Sequence, residues 1–540
     1  MMGLVQFVSL CAFASAALAL STDGSFEPAN FNITAALIAN GISPEAIPDT
    51  QTLNERSSLG TCTVACRSLK TIFGSSRLLN QGSTGYTNFT GAYWSAQQNS
   101  VRPGCVFTPT KAVEVSTAVL ISRLTQCPFA VKGGGHAAFA GSSSIEGGIT
   151  IALQNFKRIE PSADGKTVDI GPGNRWLDVY QTLEPQGLNA VGGRIFSVGV
   201  PGLILGGGIS FFSNKHGWAC DNVESYELVT ASGKILTVSY TSYPDLYWAL
   251  RGGGNNFGVV TNFKLTAYPQ GKMWGGGRVY TNASFSAALD AIYNFATTGS
   301  PTDPEAAQFI SFGYEQGFGP LASAQLEYGK PIANAPVFAD FNAIPSVQST
   351  TAIQYQSNIT ITLNGGVPDG ARETYWDASF KADRHLFTFL VDTFYALLPA
   401  VVDAAGLLPT ISIQPITAGQ LVGMQKNGGN ALGLDPAGGP YFIMNMASMW
   451  TDPADDVRVL KFHADVLERV KVEAQKRGLD NDFIYQNYAS QFQDVFSSYG
   501  KDNQKRLVAV SRKYDPKQVF QKLQPGYFKL EGGAPNPDML

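Results

Sequence analysis

The chain has 540 residues, with 38 Lys and Arg against 42 Asp and Glu, a formal net charge of −4. That balance argues against a nucleic-acid partner, which wants a basic face. Hydrophobic residues at 44% and charged residues at 15% exclude a disordered chain and a coiled coil.

In chain order, Leu4 to Leu18 form an uncharged apolar run closed by Ala17-Leu18-Ala19, the small-x-small pattern of a signal-peptidase site. Residues 1–19 therefore read as a signal peptide, although the segment before the run carries no Lys or Arg; a buried N-terminal helix is the competing reading. No later run reaches the roughly 18 apolar residues of a spanning helix. The expectation is a secreted or lumenal protein without a membrane anchor. Four sequons, at Asn32, Asn88, Asn282 and Asn358, fit that compartment as N-glycosylation candidates.

Cys11 leaves with the signal, and Cys62, Cys66, Cys105, Cys127 and Cys220 remain. Cys62 and Cys66 are spaced as successive helical turns, which favours long-range partners over a bond to each other. Bridges from this pair to Cys105 and Cys127 are expected, with Cys220 free. A metal site is not expected, because soft ligands are few and the chain has only 4 His.

Residues 20–60 are polar and read as a loosely packed leader with short helices. Residues 61–270 have an α/β texture: Ile149 to Leu153 and Lys166 to Ile170 read as strands, and Ala112 to Leu124 as an amphipathic helix preceded by Pro109. Residues 271–481 read as a separate module, with strands at Phe309 to Phe312 and Ser357 to Leu363 and a helix at Ala454 to Arg477. Residues 482–530 return to short, strongly marked elements.

The 57 glycines cluster in three informative segments. In Phe129-Ala130-Val131-Lys132-Gly133-Gly134-Gly135-His136 a strand runs into three glycines and a histidine. Consecutive glycines let backbone N–H groups approach a phosphate. No Gly-Lys-Ser/Thr closes the loop, so it is not a Walker loop. Val198-Gly199-Val200-Pro201-Gly202-Leu203-Ile204-Leu205-Gly206-Gly207-Gly208 gives two glycine-lined passes around an apolar patch, without the Gly-x-Gly-x-x-Gly of a nicotinamide site. Asp245 to Val260 reads as a helix that breaks on Arg251-Gly252-Gly253-Gly254 and restarts as a strand. Together the segments imply a ligand with a pyrophosphate and a flat ring.

These segments, with Tyr485-Gln486-Asn487-Tyr488 and Tyr514-Asp515-Pro516 near the C-terminus, resemble the FAD-linked oxidases of the vanillyl-alcohol-oxidase/PCMH fold, in the berberine-bridge-enzyme-like branch of fungi and plants. The resemblance runs over about 102–270 and resumes over 485–528. It implies an α+β fold: a PCMH-type FAD-binding domain of two α/β subdomains over 61–270, a substrate domain with an antiparallel sheet covered by helices over 271–481, and a C-terminal segment over 482–530 that returns to the FAD domain. It implies FAD bonded through its 8α-methyl to His136. Relatives carry a second linking cysteine in Gly-x-Cys-x-x-Val-Gly; here Ile195 holds that place in Gly193-Arg194-Ile195-Phe196-Ser197-Val198-Gly199, so a single link is expected. Lys132, Gly133, Gly134, Gly135, Gly199, Val200, Gly202, Leu205, Gly208, Ile209, Val259 and Val260 are the remaining expected FAD contacts.

The implied reaction takes a hydride from a small organic substrate, with O2 reduced to H2O2. Tyr485 first and Tyr488 second are the candidate bases; in an extended strand they would face opposite sides. A carbohydrate oxidase and a flavin-carrying binding or allergen-like protein with little turnover are the alternatives. Small valines, Val198 and Val200, near the flavin favour an oxidase over a dehydrogenase. His216 and His385 read as structural. The family default is a monomer.

Overall fold

The computed structural model describes residues 26–49, 58–366 and 368–537. The expected signal peptide and Cys11 lie outside the described residues. Among the described residues no helix is long and apolar enough to cross a membrane.

The strands form three sheets. The first has the order β1 (Leu78–Asn80), β2 (Cys105–Phe107), β4 (Ile149–Ala152), β3 (Phe129–Lys132). β2 and β3 both run parallel to β4, and β1 is antiparallel at the edge. Parallel strands need crossovers, and the helix Ala112–Thr125 supplies the one from β2 to β3. Its residues Val115 to Arg123 are buried throughout, so it packs as a core helix on every side rather than by one stripe.

The second sheet follows the order β5 (Ile159–Pro161), β6 (Thr167–Ile170), β10 (Val259–Pro269), β8 (Val223–Val229), β9 (Ile235–Ser239), with β7 (Leu188–Ala190) also on β10. All its pairings are antiparallel. The third is a nine-stranded antiparallel sheet built from β11 (Met273–Thr281), β12 (Ala306–Glu315), β13 (Gly319–Tyr328), β14 (Gln348–Ser349), β15 (Ala352–Gln354), β16 (Arg372–Lys381), β17 (Leu408–Ile416), β18 (Tyr441–Trp450) and β19 (Asp480–Asn481). Helices Phe285–Asn294, Arg384–Leu397 and Asp456–Arg477 cover one face and bury Leu289, Phe394 and Phe462 against it. This is the α+β architecture expected from the sequence.

One expected strand is a helix. Ser357 to Leu363 alternates Ile and Thr, a strand pattern, yet Gln356–Asn364 is helical. Gln356, Ser357, Ile359 and Thr360 are buried while Ile361 is exposed, so packing on one helical face overrides the β-branched propensity.

The cysteines pair as Cys62–Cys127 and Cys66–Cys105, and Cys220 is free and buried. The bridges tie the helix Ser58–Phe73 to β2 and to the entry of β3. The Cys62→Ala/Cys127→Ala double variant is expected to lose about 2–4 kcal/mol of stability, as for a typical native bridge. Denaturant unfolding of the oxidised protein measures it.

Candidate functional site

A cavity of about 270 Å³ lies where the three sheets and the C-terminal segment meet. Each wall is set by a local feature of the sequence. β3 ends at Lys132, and Gly133 to His136 turn across its C-terminal edge. The opposite wall is Gly199 with the helix Val200–Leu205, started by Pro201 in its first turn. Val259 and Val260 open β10 on a third side. Tyr375 of β16 and the segment Tyr485 to Ala489 close the fourth.

The glycines are there because the two loops touch. A Cβ on Gly134 would stand 2.5 Å from Gly199 Cα, and one on Gly199 would stand 2.4 Å from Gly134 N. A Cβ on Gly133 would meet Pro201 Cγ at 2.3 Å, whereas Gly202 has nothing within 4 Å and faces open space. The result is a cradle walled by backbone rather than side chains, suited to an extended anionic group. Gly199→Ala must push the loops apart, and its flavin content is expected to fall at least tenfold, a cost of about 1.4 kcal/mol. The ratio of flavin to protein absorbance reads it.

His136 is half-buried at the end of this cradle. Its ring stacks on Trp94, centroids 4.3 Å apart at 12°, and Trp94 stacks in turn on Tyr375 at 5.5 Å and 19°. The backbone N–H of Trp94 donates to the Gly135 carbonyl at 3.1 Å, which fixes the residue to the loop. Burial pushes the His136 pKa down to about 4, so the imidazole is neutral at physiological pH. Its Nε2 is buried and has no hydrogen-bond partner among the described residues. An orphaned buried nitrogen is costly unless another group satisfies it, and a flavin at this place fits that requirement. Ile195 lines the same cavity, where the resemblance places a second linking cysteine in relatives. Cys220 lies outside the cavity wall, fully buried, its thiol pushed well up by burial.

The expected contacts divide. Gly133, Gly134, Gly135, Gly199, Gly202, Leu205, Ile209, Val259 and Val260 line the cavity. Lys132, Val200 and Gly208 do not. The Lys132 ammonium turns away between the Phe89 and Tyr93 rings, 4.4 and 3.9 Å from their centroids, and donates to the Ala92 carbonyl at 3.2 Å. Burial lowers its pKa to about 8. Val200 is fully buried in the core, so only Val198 of the two small valines faces the cavity. Gly208 sits behind the wall, where its N–H donates to the Tyr485 hydroxyl at 3.0 Å.

Tyr485 and Tyr488 are not on an extended strand. Gln486–Tyr488 forms a 3₁₀ turn. Three residues per turn bring positions i and i+3 to one side, so both rings face the cavity, 4.9 Å apart at 80°. Their environments differ. Tyr485 is buried, and its hydroxyl accepts from Gly208 N and from Asn487 Nδ2 at 2.9 Å. Burial pushes its pKa far above the ordinary tyrosine value. Its backbone N–H donates to the carboxyl of Asp377 on β16. The Tyr488 hydroxyl instead accepts from the Arg194 guanidinium at 2.6 Å. Arg194 is held in turn by Gln414 Oε1 of β17 at 2.5 Å and lies over the Phe309 ring at 4.6 Å.

Arg194, Gln414, Trp94 and Tyr375 were not singled out in the sequence. Arg194 stands beside Ile195 in the glycine frame, the one signal that could have found it; the others come from separate elements. His216 stacks on Tyr268 at 3.8 Å, away from the cavity wall, and His385 is exposed on the helix Arg384–Leu397.

Residues 103–239 match the FAD_binding_4 family, described as an FAD binding domain. The chain is 38% identical over 451 residues to the FAD-dependent monooxygenase tpcD of Cochliobolus heterostrophus, covering 81% of this chain and 87% of that protein. It is 32% identical over 500 residues to the bifunctional solanapyrone synthase of Alternaria solani, covering 92% and 94%. Its fold is similar to 6-hydroxy-D-nicotine oxidase of Arthrobacter nicotinovorans, with TM-score 0.68, 21% identity, and 84% and 97% of the two chains covered. It is also similar to the berberine bridge enzyme of Eschscholzia californica, with TM-score 0.68, 18% identity, and 84% and 97% covered.

Proposed function

The chain belongs to the berberine-bridge-enzyme-like, PCMH-fold family of FAD-dependent oxidoreductases, and from that premise we propose that it is an oxidase of a small organic alcohol or amine. The observation that carries the reading is one cavity holding both an orphaned, neutral His136 and a tyrosine hydroxyl set against a guanidinium.

FAD would be held by a single bond to His136, with Gly133 to Gly135 and Gly199 around its pyrophosphate. Bound there, it supplies a two-electron acceptor that dioxygen can reoxidise. The protein's own groups manage the proton. Tyr488 takes it from the substrate hydroxyl or amine. It would do so as a phenolate, whose negative charge the Arg194 cation faces before the transfer, and Gln414 keeps that cation in place. Tyr485, buried and held above its ordinary pKa, is a positioning group that fixes Asn487 and the Gly208 backbone. The substrate loses two electrons and two protons, and O2 takes both pairs as H2O2. Val198 leaves a small apolar place beside the cavity for O2.

Residues 271–481 would choose the substrate, since Tyr375 and Gln414 of that sheet reach the site. Two disulfides support an oxidising compartment. Asn32, Asn88, Asn282 and Asn358 are all exposed, which is compatible with glycosylation during secretion. We take the protein to be secreted and monomeric.

The names of relatives favour a second reading, a monooxygenase. Turnover under 18O2 separates the two. An oxidase gives one H2O2 per substrate and no label in the product; a monooxygenase places one labelled oxygen in the product.

A further inference from the structure

A second cavity, of about 200 Å³, lies on the far side of Tyr375. Ala138, Phe139, Tyr375 and Ala489 line both cavities, so two rings and two alanines form the partition between them. Glu373, Tyr375 and Asp377 alternate along β16 and share one face of the strand. Glu373 is only 6% exposed, lines this second cavity, and its Oε1 has no hydrogen-bond partner among the described residues. Gln97 clamps only its backbone, accepting from the N–H at 3.1 Å and donating to the carbonyl at 2.9 Å.

Among the described residues, the cation that lines the cavity is Arg372. Arg372 is bound by Asp456, which also accepts from Trp450 Nε1 at 2.8 Å. Leu460, Phe492 and Ser490 bring no charge, and the tail crosses the cavity where Asn536 N donates to the Gln491 carbonyl at 2.8 Å. Phe139, Tyr375, Trp450 and Phe492 add aromatic surface. A carboxyl that no cation of the described residues partners, set among aromatic rings, is a receptor for an ammonium group.

We propose that this cavity is a subsite for a protonated amine, carried on a part of the substrate remote from the oxidised carbon. The proposal deepens the oxidase reading by naming part of the substrate, but it concerns binding and stands or falls without turnover. Burial pushes the Glu373 pKa up to about 9, so without a ligand the acid is neutral at pH 7. An incoming ammonium pairs with the carboxylate, and Glu373 gives its proton to solvent. Binding at pH 7 therefore releases one proton, and affinity rises toward pH 9 as that release becomes easier.

Calorimetry of the holoenzyme with n-butylammonium and with n-butanol, in two buffers of different ionisation enthalpy, tests it. The ammonium is expected to bind about tenfold or more tighter than the alcohol, because only the ammonium can ion-pair with the carboxylate that forms as Glu373 gives up its proton, with about one proton released. Glu373→Gln is expected to lose that preference and the proton release while keeping its flavin absorbance and alcohol binding. Equal binding of the two probes, binding of neither, no proton release, or an unchanged preference in Glu373→Gln overturns the proposal.

Discussion

His136→Ala is expected to yield a protein that no longer carries flavin through denaturation, with kcat at least tenfold lower, or about 1.4 kcal/mol more barrier. His136 Nε2 is buried with no partner among the described residues, and the neutral ring is available for bonding. No thiol in the cavity can take over the bond, because Ile195 occupies the second position and Cys220 lies elsewhere. The glycine cradle survives the substitution, so non-covalent FAD should still bind and colour the protein. The variant thus separates linkage from binding: yellow protein whose colour is released by acid is the expected outcome. Protein without any flavin would instead mean that His136 is needed to hold the cofactor at all.

Tyr488→Phe is expected to lower kcat by about 10²–10⁴, the usual contribution of a positioned base, with KM changed little. Arg194 and Gln414 would keep their mutual bond, so the site should stay assembled. Tyr485→Phe is the control. It removes the acceptor of two hydrogen bonds from Gly208 and Asn487 and should cost about 1–3 kcal/mol of stability, with a smaller fall in kcat. Steady-state kinetics with denaturant unfolding of both variants decides between the tyrosines. If Tyr485→Phe loses the greater part of kcat and Tyr488→Phe does not, the roles are reversed.

The cofactor half of the site is readable in the sequence because it is contiguous. Gly133 to His136 is a single run, and its glycines are needed where two backbones meet at Gly134 and Gly199, a constraint that leaves a mark in composition. The substrate half leaves no such mark. Tyr375, Gln414 and Arg194 converge from β16, β17 and a loop, and alternation along a strand does not say which neighbour it will face. Lys132 shows the limit within a recognised motif: its position is that of a cofactor contact, yet the aromatic pair Phe89 and Tyr93 draws the ammonium away. The Tyr-x-x-Tyr pattern suggests an extended segment with its rings on opposite sides, and the 3₁₀ turn reverses that by placing both rings on one side. Ser357 to Leu363 departs in the same direction: a strand-like alternation that tertiary packing folds into a helix.

Peptide mass analysis of the purified, denatured protein tests the central claim most directly, read beside the flavin fluorescence of the same sample on a denaturing gel. A fluorescent band, with the mass of FAD on the peptide containing His136 and on no other, is the predicted result. Flavin on a different peptide, or a dark band with all flavin in the supernatant, would contradict it.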